Sequence, residues 1–182
     1  FEERKEIIFL SSNEDNWMIR DIMEIRTATI ADLAQIAAVE AECFPAAEAA
    51  TKEEFAERIK YYGNHFWLMF EGEKLIAFVD GFVTDKPDLT DEMYERAEMH
   101  DENGAWQMIF GVNTIPAYRK HGYAGQLLQC AIEDARKQGR KGLVLTCKEK
   151  LIAYYAKFGF VNEGISESVH GNVIWYQMRY KF

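Results

Sequence analysis

Trp106-Gln107-Met108-Ile109-Phe110-Gly111-Val112, Arg119-Lys120-His121-Gly122-Tyr123-Ala124-Gly125 and Gln126-Leu127-Leu128-Gln129-Cys130-Ala131-Ile132-Glu133-Asp134-Ala135 together decide the fold. The first run is apolar and reads as a buried strand. In the third, Leu127, Leu128, Ala131, Ile132 and Ala135 recur at helical spacing and form one apolar face. Between strand and helix lies a glycine-punctuated loop with three basic side chains. Free backbone N–H groups converge at a helix N-terminus, and the helix dipole favours an anion there. Gly122 and Gly125 have no Cβ, so a ligand can lie against the backbone. The reading is a phosphate or pyrophosphate cradle. Two better-known phosphate loops fail: no Gly-x-x-x-x-Gly-Lys-Ser/Thr run is present, and Gly122-Tyr123-Ala124-Gly125 has the wrong spacing for G-x-G-x-x-G.

The chain has 182 residues, enough for one domain with a sizeable core. Apolar content of 48% and aromatic content of 14% exclude wholesale disorder. A net charge of −9 argues against nucleic acid or an anionic membrane as partner, and makes Arg119-Lys120-His121 a local positive spot in an acidic molecule. Cys43, Cys130 and Cys147 are an odd number without pairing spacing, which suggests reduced thiols and a cytoplasmic setting. No apolar run reaches the length of a membrane-spanning helix.

Residues 1–22 read as an N-terminal extension of uncertain origin, either a mis-assigned start or an added strand around Ile7-Ile8-Phe9-Leu10. Met23-Glu24-Ile25-Arg26 looks like the natural beginning of a single domain over 23–182. From there a short strand is followed by a helix capped by Thr29, with Leu33, Ile36, Ala37, Val39 and Glu40 on one face. Thr51-Lys52-Glu53-Glu54 is a capping box opening a second helix to about Tyr62. Strands at Phe66–Phe70 and Leu75–Val83 are joined by a hairpin turn. The polar segment from Thr84 to Ala105 is longer than ordinary connections, with a short helix expected at Asp91–Met99 and a binding or lid role. After the central helix come a strand at Leu143–Thr146, a second Thr-x-x-Glu capping box at Thr146–Glu149 opening a helix to Lys157, and two strands joined at His170-Gly171-Asn172.

Arg119, Gly122 and Ala124 fill the pattern Arg/Gln-x-x-Gly-x-Gly/Ala, which resembles the coenzyme A pyrophosphate loop of the GNAT superfamily of N-acetyltransferases. Tyr154-Tyr155-Ala156-Lys157-Phe158-Gly159-Phe160 resembles that superfamily's Y-x-x-x-G-F segment, and the order of elements is similar too. The resemblance covers Met23 to the end. It implies an α/β fold: a mixed, mostly antiparallel sheet of about seven strands flanked by helices. Within the superfamily, Val39 to Phe44, Leu75 to Gly81, Leu89 to Glu92 with His100, and Cys147 to Phe160 are similar to arylalkylamine (serotonin-type) N-acetyltransferases and their bacterial relatives.

The implied reaction is transfer of acetyl from acetyl-CoA to a primary amine by direct attack, with no metal. Backbone N–H groups of Gly122, Tyr123, Ala124, Gly125 and Gln126 would hold the pyrophosphate, with Arg119, Lys120 and His121 at its edge. Val112, Asn113 and Thr114 would bond the pantetheine arm and polarise the thioester carbonyl. Tyr155 matches the family's proton donor to the departing thiolate. The resemblance fails at the base: the arylalkylamine enzymes carry two strand histidines where this chain has Met108 and Phe110, neither of which accepts a proton. That leaves another group, a water chain or an amine that arrives already neutral; Glu48, Glu42, Asp80 and His170 are the candidate groups, and the turn position of His170 reads as a solvated surface histidine. Phe44, Phe66, Trp67, Trp106, Phe110 and Trp175 form either an aromatic acceptor pocket or plain core. The expected partner is a small-molecule amine, with a homodimer as one open arrangement. Two rival readings are a catalytically silent acyl-CoA-binding or regulatory domain and a protein or peptide N-acetyltransferase.

Overall fold

The computed structural model describes residues 5–7 and 23–182. The first five-stranded sheet runs in the order β1 (Lys5–Ile7), β2 (Met23–Arg26), β3 (Phe66–Glu71), β4 (Lys74–Asp80), β7 (Gly111–Thr114), every pair antiparallel. A second, also five-stranded, runs β5 (Val83–Thr84), β6 (Trp106–Ile109), β8 (Gly142–Cys147), β10 (Tyr176–Lys181), β9 (Val161–Ile165), with β6 and β8 parallel. This is the expected mixed α/β fold with more strand segments, because two strands read as continuous are each divided between the sheets. Trp106–Val112 breaks at Phe110 into β6 and β7, and Leu75–Val83 breaks after Asp80 into β4 and β5. Of the strand expected at Ile7–Leu10, only Ile7 is described, as the end of β1; the rest lies outside the described residues.

Apolar periodicity places the helices. On α1 (Leu33–Cys43), entered through a 3-10 turn at Ile30–Asp32, Ile36 and Val39 are buried. Thr29 caps that turn: its N–H donates to Asp32 Oδ2 at 2.8 Å. The Thr51–Glu54 capping box opens α2 (Lys52–Tyr62), with bonds of 3.2 and 2.6 Å, and Phe55, Ile59 and Tyr62 face inward. Helix α3 (Glu92–Glu95) and a 3-10 turn at Ala97–Met99 fill the expected 91–99 region. Long α4 (Tyr123–Lys137) buries all five of the residues of its anticipated apolar face, and Cys130 besides.

One capping assignment is corrected. Thr146 does not cap a helix: it continues β8 opposite Gln177, and its hydroxyl pairs with that of Tyr94 at 3.3 Å. Lys148 is instead the cap, of a 3-10 turn at Glu149–Leu151 that leads into α5 (Ile152–Ala156). All three cysteines are free thiols, and no helix among the described residues is long and apolar enough to cross a membrane.

Candidate active site

The break at Phe110 makes the site. Up to Ile109 the central strand pairs with β8, ending at Ile109↔Leu145; beyond it β7 pairs, among the described residues, with β4 alone, so β7 and the end of β8 diverge. A cavity of about 400 Å³ occupies the wedge, lined on one side by Phe110, Gly111, Val112, Leu145, Thr146, Cys147 and Tyr155. Its other wall is Glu40, Phe44 and Glu48 from α1 and the loop after it, Glu54 and Arg58 from α2, Asp80, then Asp91, Tyr94 and Glu95. Val169, His170 and Trp175 of the final hairpin close it. The polar 84–105 segment thus supplies a wall. Its far end is pinned by Glu102, which accepts from Arg140 at 2.8 Å and faces Nε2 of both His65 (3.0 Å) and His100 (3.2 Å).

That trio brings three potential ligand atoms within 4.8 Å of one another. The bonding argues for a charge cluster rather than a metal centre. The Val83 N–H donates to His100 Nδ1 at 3.1 Å, so Nε2 carries that ring's proton and points it at Glu102. Burial would raise the Glu102 carboxyl, but the hydrogen bond from His65 holds it down at about 2.

Among the expected cofactor residues, Gly122 is the N-cap of α4 at φ 83°, a left-handed conformation, and a Cβ there would meet nothing within 4 Å. Gly125 has another reason to be glycine: a Cβ would sit 2.8 Å from Phe158 Cζ, so the missing side chain admits the segment after α5 rather than a ligand. The first intrahelical bond runs from the Gln126 N–H to Gly122 O at 3.1 Å. That N–H is therefore taken, and the N–H groups left without an intrahelical bond are those of Gly122 to Gly125. Lys120 is also left-handed at φ 67°. Arg119 Nε donates to Thr114 O at 3.0 Å, tying the loop to β7, and the His121 ring stacks on Tyr123 with centroids 5.6 Å apart. None of Arg119 to Gln126 lines the enclosed cavity; α5 links the two places, since Phe158 abuts Gly125 and Tyr155 lines the cavity.

Strand β7 is the last of its sheet, and its outer edge has no strand partner among the described residues. The Ile115 N–H reaches Ile76 O, so by antiparallel alternation Asn113 faces β4 while Val112 and Thr114 turn their main-chain groups outward. The buried Asn113 side chain instead donates to Glu40 Oε2 at 2.5 Å. Thr114 Oγ1 and Gln126 Oε1 are buried without a partner. An open strand edge beside a helix N-terminus fits a polar, phosphate-bearing thioester.

On the acceptor side a buried polar network stands behind the cavity. Arg58 Nη1 lies 3.2 Å from Asp80 Oδ2, and Arg58 Nη2 donates to Tyr94 O at 3.0 Å. Burial drives Asp80 up to about 7 despite the guanidinium beside it. Burial likewise raises Glu40, which accepts from the Ala50 N–H at 3.0 Å. Of the aromatic residues proposed for a pocket, Phe44, Phe110 and Trp175 line the cavity. Phe66 and Trp67 are core, and Trp106 lies under Arg179. Met108 is fully buried. Among the candidate bases Glu42 is exposed and off the cavity, whereas Glu48, Asp80 and His170 line it. Tyr155 is 6% exposed, with burial raising its hydroxyl; neighbouring Tyr154 is the less buried of the pair.

The model of the acetyltransferase (GNAT) family matches residues 33–160, and the chain belongs to that family. Solved structures that it resembles include the loading GNATL domain of CurA from Lyngbya majuscula, with TM-score 0.76, 16% identity and coverage of 87% of this chain and 97% of that one. The GNAT-like decarboxylase GphF, in complex with isobutyryl-CoA, gives 0.74 at 21% identity over 86% and 98%. Naa50 of Arabidopsis thaliana, bound to the bisubstrate analogue CoA-Ac-MVNAL, gives 0.68 at 18% over 88% and 99%. Among curated proteins none matches the sequence.

Proposed function

We propose that this chain transfers an acetyl group from acetyl-CoA to the nitrogen of a small cationic amine that carries an apolar or aromatic group, as arylalkylamine N-acetyltransferases do. The observation that carries the reading is the cavity between β7 and β8. Tyr155 stands on its cofactor side, and six acidic residues (Glu40, Glu48, Glu54, Asp80, Asp91, Glu95) line the other, against the Arg58 guanidinium and the Lys148 ammonium that pairs with Glu48. Such a wall raises the local concentration of a cation, while Phe44, Phe110 and Trp175 offer apolar surface. Bound acetyl-CoA supplies the thioester carbonyl. N–H groups of Gly122 to Gly125 hold the pyrophosphate, with Arg119, Lys120 and His121 at its edge, and the outward groups of Val112 and the N–H of Thr114 pair with the pantetheine arm, the Thr114 carbonyl being held by Arg119 and Cys43. No metal enters the reaction.

Tyr155 donates a hydrogen bond to the departing sulfur. A phenol near pKa 10 is a weaker acid than a thiol near 8.5, and burial of Tyr155 widens the gap. The hydroxyl therefore keeps its proton and stabilises the charge that builds on sulfur by hydrogen bonding. Thiol release from acetyl-CoA with arylalkylamines, polyamines, amino acids and short peptides tests the proposal. Turnover confined to peptides would redirect it to a peptide N-acetyltransferase, and CoA-dependent thermal stabilisation without turnover to an acyl-CoA-binding domain.

A further inference from the structure

An amine that attacks a thioester must lose a proton, and this chain lacks a strand histidine to receive it. Phe110 faces the cavity where an imidazole would be expected, and Met108 is buried. Yet an imidazole reaches the same cavity from the opposite wall. The Phe110 ring packs on Tyr94 with centroids 4.8 Å apart, and Tyr94 packs on His170 at 5.7 Å with planes only 11° from parallel. Resting on the acetyl-transfer reading above, we infer that His170 is the catalytic base that takes the proton from the acceptor amine.

The tautomer follows from the bonding. His170 Nε2 lies 3.1 Å from Glu48 O, and a carbonyl oxygen only accepts, so Nε2 carries the proton in the neutral ring. Nδ1 is then the lone-pair nitrogen, and it has no hydrogen-bond partner among the described residues. The hairpin that bears the ring is fixed. Asp91 Oδ2 accepts from the Val169 N–H at 2.9 Å, Asp91 Oδ1 accepts from the Ser168 hydroxyl at 2.5 Å, and Trp175 Nε1 donates to His170 O at 2.8 Å. Charged and titratable groups facing it are Glu48 with its Lys148 partner, Asp91, and Tyr94, whose phenol burial pushes up to about 12. A base, a group that fixes its tautomer and a packed mount are the parts general-base catalysis requires.

In the step, the bound ammonium first releases one proton through His170 Nδ1 to solvent; the lone pair so freed forms the C–N bond to the carbonyl carbon, and the nitrogen's surplus proton passes to His170 Nδ1. The C–S bond then breaks, sulfur keeping the electron pair as a thiolate that accepts a hydrogen bond from Tyr155. The imidazolium proton passes through solvent to that thiolate, which releases CoA as the thiol and restores His170.

The test is steady-state acetylation of the best amine across roughly pH 5 to 9, spanning the ordinary histidine range, by the wild type, His170→Gln and His170→Ala. We expect kcat/KM to fall about 100-fold in both variants, the acid limb of the profile to vanish, and 4-methylimidazole to restore activity to His170→Ala. CoA-dependent thermal stabilisation should stay at its wild-type value. A His170→Gln profile parallel to the wild type, loss of CoA binding in step with turnover, or no rescue of His170→Ala would each reduce His170 to a wall residue. Those outcomes leave acetyl transfer standing. A wild type that releases no thiol with any amine overturns both.

Discussion

Gly111 exists as a notch for Asp80: a Cβ at position 111 would lie 2.6 Å from Asp80 Oδ1 and 2.9 Å from Asn113 Oδ1. The two residues are cross-strand partners where the central strand changes sheets, so the glycine lets a carboxylate lie flat against β7 and meet Arg58. Gly111→Ala should push that carboxylate aside and strain the buried pair. We expect a loss of about 1–3 kcal/mol, the usual range for overpacking. A urea or thermal melt reads it directly; an unchanged melting temperature would mean that Asp80 has room elsewhere.

The two loop glycines should separate by assay. At Gly122 there is space for a side chain, but its φ of 83° is costly for one, and a branched group would stand over the α4 terminus. Gly122→Val should therefore cost about 1–2 kcal/mol from the left-handed backbone and weaken CoA binding at least tenfold. Gly125→Ala meets Phe158 and should lower stability by about 1–3 kcal/mol, with a smaller effect on CoA. Thermal shift with and without CoA distinguishes them. Equal CoA stabilisation in wild type and Gly122→Val would contradict the cradle.

Much of this was legible because it is local. The Thr51 box and the α4 stripe depend on near neighbours in sequence. Division of the central strand was not, since a continuous apolar run looks the same whichever sheet its two halves join. Arg58 was missed, though it left a trace: it lies three residues after Phe55 and four before Tyr62, on the buried stripe of α2, where a guanidinium needs a partner. Glu40 left the same trace, four residues after Ile36 on α1. Placing His170 in the cavity wall required contacts with Tyr94 and Glu48 that lie 76 and 122 positions away (170 − 94 and 170 − 48), beyond any local pattern.

Tyr155→Phe should lower kcat tenfold to a hundredfold while leaving CoA affinity within about twofold, because the ring that fills the wall is kept and only the donor goes. Its hydroxyl has no hydrogen-bond partner among the described residues, so removal should not reduce stability. Parallel loss of turnover and CoA binding would assign the ring a packing role alone.

Asp80 gives stability a pH dependence of definite sign. Its carboxyl, ordinarily at 3.8, is pushed up to about 7 chiefly by burial. Below 3.8 it is protonated folded and unfolded, and its stabilising contribution is fully present. As pH rises toward 7 the unfolded chain releases the proton while the native state retains it, so the contribution is lost, on the order of a few kcal/mol in all. His100, lowered chiefly by burial, acts in the opposite direction in the same range, and Glu102, held near 2, acts below it. A difference measurement therefore isolates Asp80. Asp80→Asn imitates the protonated carboxyl but does not titrate, so its stability should rise relative to wild type by on the order of 2–3 kcal/mol as pH climbs from about 5 to 7. Above about 7, where the wild-type carboxyl is ionised both folded and unfolded, the difference should stop changing. Urea unfolding of both proteins at three pH values between about 5 and 8 measures the gap; a constant gap would mean that Asp80 stays ionised in the native state across the range.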